Sequence, residues 1–169
     1  MYLKTLNVSE ALMKNDEGRH FADVVKDEVQ TLQGIGPMSS RVLSALGIST
    51  IEELANYKFF HMARALATLA ETEVKGDRPT GSVMNVDRAV DKEWESKSLK
   101  EIVEAPTEAL EGISKDACDL LETLGCVTIG DLAKLKYCRW AEAMVKISEF
   151  ENTLTAKERK IDSELKKLA

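Results

Sequence analysis

The sequence repeats itself without a gap. Shifted by 78 positions, residues 7–73 lie over residues 85–151, and 21 of the 67 aligned pairs are identical. Asn7 and Val8 fall on Asn85 and Val86, and Leu32, Gly34 and Ile35 fall on Leu110, Gly112 and Ile113. Leu46 and Gly47 fall on Leu124 and Gly125, Thr50 and Ile51 on Thr128 and Ile129, Leu54 and Ala55 on Leu132 and Ala133. Such a repeat is the signature of one fold unit built twice. Positions that both copies keep report what the unit needs to fold, and positions where they differ report where it has room to specialise. The expected organisation is a first unit over residues 1–73, a linker over 74–84, a second unit over 85–151 and a terminal helix over 152–169.

Within each copy the apolar residues fall at helical intervals, and no sustained alternation of the kind a strand requires appears. In copy one, residues 8–13 and 21–32 read as helical, and Gly34, Gly36 and Pro37 interrupt the pattern. A helix resumes with Pro37 in its first turn, where a missing N–H costs nothing, and stops at Gly47. Ser49 with Glu52, or Thr50 with Glu53, is placed to cap a short helix from Ile51, and a longer one starts at Lys58. Copy two follows the same plan, with Pro106 opening a turn, a break at residues 112–114, and Thr128 as a cap. The expected fold class is all-α. The expected core is Leu32, Ile35, Val42, Leu43, Leu46, Ile51, Leu54 and Leu66, with Leu110, Ile113, Leu120, Leu121, Leu124, Ile129, Leu132 and Met144. Phe59, Phe60, Tyr137 and Cys138 are expected to close the core of their own unit, with packing of the two units together or binding of another subunit as the alternatives.

Charge narrows the function classes. The chain carries a net −6. Residues 21–73 hold four basic and seven acidic side chains (−3), and residues 99–151 hold six and eleven (−5). The connection 74–98 is neutral, and residues 152–169, with five basic and three acidic, stand at +2. Two acidic units are a poor start for binding a polyanion, which needs Lys and Arg to replace its counterions. No apolar run reaches the roughly 18 residues of a membrane span, so no membrane partner is expected. Cys118, Cys126 and Cys138 lie opposite Ser40, Ile48 and Phe60, and their spacing fits no zinc framework. They are expected to be packed, reduced thiols in an intracellular, cytoplasmic setting, with no metal and no cofactor.

At Leu32, Gly34, Ile35, Gly36 and Pro37, followed by Leu46, Gly47, Ile48, Thr50 and Ile51, the chain resembles helix-hairpin-helix domains. The resemblance covers residues 30–56 and, more weakly, 108–134. It implies two tandem SAM-like helical units in which a Gly-apolar-Gly hairpin joins two short helices. Many members of that family bind DNA without sequence preference, presenting hairpin N–H groups to a phosphate. Carried over, Gly34, Ile35 and Gly36 form the hairpin, and Ser39, Ser40 and Arg41 stand where phosphate contacts belong. Copy two departs from the pattern. Ser114 and Lys115 replace Gly36 and Pro37, and Asp116 and Asp119 fall opposite Met38 and Arg41. Carboxylates there favour the helix dipole but repel phosphate.

No phosphate loop, metal motif or nucleophile elbow is present, and His20 and His61 have no carboxylate or thiol at triad spacing, so an enzyme is not expected. Trp140 aligns with Met62 and is expected in the core. Trp94 aligns with Asp16, which suggests a surface ring free to contact a partner. The expected function is a non-enzymatic protein-interaction or scaffold role toward an unknown protein partner. The alternative is sequence-nonspecific nucleic-acid binding through Gly34, Ile35, Gly36, Ser39, Ser40 and Arg41.

Overall fold

Cap residues start the helices at Ile51, Leu99, Lys115, Ile129 and Ala156 in the computed structural model, which describes residues 6–75 and 79–169. In the first copy α1 spans Phe21–Val24, α2 Pro37–Ala45, α3 Ile51–Ala55 and α4 Lys58–Ala70. In the second, α5 spans Leu99–Val103, α6 Lys115–Thr123, α7 Ile129–Ala133 and α8 Lys136–Ser148, and α9 follows at Ala156–Lys167. The chain is all-α: among the described residues there are only isolated bridges and no strand. Boundaries from α2 to α4 recur 78 residues later in α6, α7 and α8. Thr50 accepts from the Glu53 N–H and Thr128 from the Asp131 N–H, the latter as a full capping box, so the caps legible in the sequence do start α3 and α7.

The expected continuous helix over 21–32 does not form. α1 ends after one turn because the backbone beyond it pairs elsewhere. The N–H groups of Ile51 and Glu52 donate to the carbonyls of Asp27 and Val25, and the Val29 N–H donates to Ser49. The apolar spacing in this stretch instead serves a short extended pairing, Glu28 with Thr50, followed by a 3-10 turn over Val29–Thr31. Residues 8–13 are likewise not helical, and Leu12 bridges to Leu32.

The long helices cross over. α8 packs on α3 and α1, and α4 packs on α7 and α5, while α2 and α6 meet each other. The first core, formed around Leu12, Val24, Leu32, Ile51 and Leu54, is completed by Cys138, Ala141 and Met144 of α8. The second, around Ile102, Leu110, Leu121, Ile129 and Leu132, takes Ala63 and Leu66 from α4. Phe60 stays with the first core, whereas Ala63 and Leu66 of α4 and Cys138, Ala141 and Met144 of α8 close the core of the other copy. Phe60 closes the core of its own unit as expected, while Phe59, Tyr137 and Cys138 pack the two units together, the alternative for these residues. Two residues, Asn56 and Tyr57, join α3 to α4, and Lys134 and Leu135 join α7 to α8 at the matching place.

Two carboxylates lock the crossing. Glu151, just past α8, accepts from the Phe21 and Ala22 N–H groups at 2.9 and 3.0 Å, satisfying the open start of α1. Its counterpart 78 residues earlier, Glu73, accepts from Leu99 and Lys100 at 2.8 and 3.2 Å and does the same for α5. Burial pushes the Glu151 carboxyl up, but the Ala22 and Phe21 N–H bonds and His20 beside it outweigh that and hold it below the ordinary range. A lowered folded-state pKa contributes stability above the unfolded value, and that contribution is lost as pH falls through the folded one. Glu151→Gln is accordingly expected to lower the urea midpoint clearly at pH 7 and much less at pH 3. Equal losses at both pH values contradict the cap.

Candidate functional site

The resemblance to helix-hairpin-helix domains points to residues 34–41, where the backbone turns into α2. Gly34 has φ +97° and Gly112 has φ +100°, in the left-handed region that favours glycine. Ile35 is buried as a plug in the first core. Gly36 differs: its φ of −84° with ψ −178° is open to any residue, and a Cβ there meets nothing within 4 Å. Ser114 adopts nearly the same conformation, φ −72° and ψ 166°, and uses it to cap α6 by accepting from the Ala117 N–H at 3.1 Å. The second glycine thus leaves α2 without a side-chain cap. Arg41 is exposed on α2, Ser39 and Ser40 are half-buried, and Met38 is 70% exposed.

The turn is already occupied from the other copy. The Tyr137 hydroxyl donates to the Gly34 carbonyl at 3.1 Å, and its oxygen lies 2.7 Å from where a Gly34 Cβ would stand. At the matching place the Phe59 ring lies 3.2 Å from a Cβ on Gly112. Each long helix therefore starts by laying an aromatic ring on the glycine of the other copy. Lys136 sits 5.2 Å over the Tyr137 ring and 5.4 Å over Trp140, and the two rings meet edge to face at 5.8 Å. Gly34→Ala has to bear both a strained backbone and this contact, so a loss of about 1–3 kcal/mol is expected, while Gly36→Ala should change stability by about 0.5 kcal/mol or less. Comparable losses from both, in chemical denaturation, contradict the packing of Tyr137 on Gly34.

The other basic groups differ in their pairing. Lys26 is exposed, but Arg64 on α4 pairs with Glu142 on α8. In copy two, Lys115 pairs with Asp119 at 3.1 Å, which raises the lysine above its ordinary value, and Asp116 is exposed beside it. Trp94 lies in a 3-10 turn over Lys92–Trp94, half-buried with its ring against the second core. Trp140 is half-buried as well, at the edge of the first core, and it lines a shallow cleft with residues 7–11. Sequence reasoning missed Tyr137 as a contact of the turn. The available signal was its alignment with Phe59, each following a lysine at the same place in the repeat.

A second cleft, about 530 Å³, lies between the long helices and is lined by Asn56, His61, Arg64, Glu142, Lys146 and Glu149. His61 Nε2 is 2.7 Å from the Ala55 carbonyl oxygen and Nδ1 is 3.1 Å from Glu142. Glu142 thus receives both Arg64 and His61, and its charge is answered from within the chain. The three thiols are buried. Burial pushes the Cys126 thiol up to about 11, raises Cys138 further, and takes the Tyr57 hydroxyl beside them up to about 12. Among the described residues no group of three or more His, Cys, Asp or Glu is arranged to hold a metal ion, and no helix is long and apolar enough to cross a membrane. Comparison with family models, with curated proteins and with solved structures finds no match for this chain.

Proposed function

We propose that the chain is a non-enzymatic interaction or scaffold protein, built from a duplicated helix-hairpin-helix-like unit whose hairpin serves internal docking. The observation that carries this reading is the Tyr137 hydroxyl on the Gly34 carbonyl. It spends one face of the hairpin on holding α8 in place. The opposite hairpin is covered by Phe59 and surrounded by carboxylates at Glu108, Glu111, Asp116 and Asp119. With net charges of −3 over residues 21–73 and −5 over residues 99–151, the body repels a polyanion more than one exposed Arg41 attracts it.

The second reading, sequence-nonspecific nucleic-acid binding, draws on the uncapped start of α2 beside Arg41. A titration against short duplex and single-stranded DNA and RNA at about 0.15 M salt, where the Debye length is about 8 Å, separates the two. The interaction reading expects no binding. Micromolar or tighter binding that is lost on Arg41→Glu, and that weakens steeply with added salt, reverses the ranking.

A further inference from the structure

We propose that two copies of this chain pair by exchanging halves, the first half of each closing its cores with the second half of the other. Neither core is complete with its own residues. Met144, Ala141 and Cys138 reach the first core only from α8, and Leu66 and Ala63 reach the second only from α4. Glu151 and Glu73 cap α1 and α5 across the same junction. Nothing in these contacts requires both halves to belong to one molecule. The described residues of the connection, 74–75 and 79–84, are exposed, with Val83 and Met84 each at 88%, and none of them enters a core. The interface offered to a second copy is thus the one already used within the chain, which is the condition for domain exchange at little energetic cost.

The pairing has a polarity. Arg64 and Glu142 occupy equivalent places in the repeat, 78 residues apart, yet they pair with each other. A first half meeting another first half in this arrangement sets Arg64 against Arg64, and two second halves set Glu142 against Glu142. Only first-with-second pairing is complementary, whether the halves are linked or not. The choice between one chain and two then rests on the effective concentration set by the connection, about millimolar for a short linker. The single chain wins at micromolar concentration. The exchanged dimer gains ground as the chain approaches millimolar concentration during folding, and it persists on dilution because leaving it requires unfolding.

The test uses two full-length variants, Arg64→Cys and Glu142→Cys, unfolded together and refolded at about 10 μM and about 1 mM. The expected result is a dimer whose ratio to monomer grows in proportion to concentration. A short bismaleimide should then join the two different variants, and should not do so when they are mixed after folding separately. A protease site introduced at residues 79–83 of the native chain gives an independent readout. Cutting the exchanged dimer should yield two particles of single-chain mass, because each interlocked pair is then independent. Monomer alone at both concentrations, or a dimer that survives the cut, overturns the proposal.

Discussion

Ala141→Asp is expected to melt the first core, although the substitution lies in the second copy of the repeat. Ala141 is fully buried on α8, among residues contributed by the first copy. A carboxylate there finds no cation and no spare N–H, and an uncompensated buried charge costs about 3–5 kcal/mol. Net stability of a domain is only about 5–15 kcal/mol, so this is a large share of the total. Amide exchange should report it, with protection lost first at Leu12, Val24, Leu32 and Leu54. If the loss were confined to residues such as Ile102, Leu110 and Leu132, the helices would not cross as described.

Truncating a core leucine comes next in size. Leu54 and Leu132 are fully buried at equivalent places in α3 and α7. Leu54→Ala and Leu132→Ala should each cost about 2–5 kcal/mol, the lost transfer energy plus the cavity left behind. Leu46 and Leu124 are only half-buried, because they face the junction between the copies instead of the centre of one core. Leu46→Ala should therefore cost about 1–2 kcal/mol, reflecting partial burial. Denaturation curves in which Leu46→Ala costs as much as Leu54→Ala would place the junction, not the cores, at the centre of stability.

Leu46 also shows how far the sequence could be read. Its apolar stripe with Val42 and Leu43 predicts a helix with a buried face, and Leu43 is buried as expected. Val42, Leu46, Leu120 and Leu124 are half-buried instead, since a stripe says that a face is covered but not by what. The same limit hid the crossing of α4 and α8. Their apolar positions are identical whether they pack on their own copy or on the other one. Thr50 and Thr128 were legible as caps because their partners lie three residues away. Glu73 and Glu151 were not, because the N–H groups they accept from lie 26 or more residues distant. Identity at that repeat position was the one available sign. The apolar spacing over 21–32 misled for a related reason: the carbonyls of Asp27 and Val25 accept from the N–H groups of Ile51 and Glu52, respectively, and no local periodicity records a distant backbone partner. For the candidate site, Gly34 and Gly36 looked alike in sequence. Only Gly34 is held by its backbone angle and by Tyr137, so half of the motif is fold and the other half is a vacant cap.

The crossing of the long helices is the claim on which the hairpin reading rests, and linker cleavage tests it most directly. A protease site introduced at residues 79–83 of the monomeric chain, cut under native conditions, should leave both fragments in one particle of full-chain mass. That particle should unfold in a single transition, because each fragment supplies part of the other's core. Two particles of about half the mass, separating without denaturant, would contradict it.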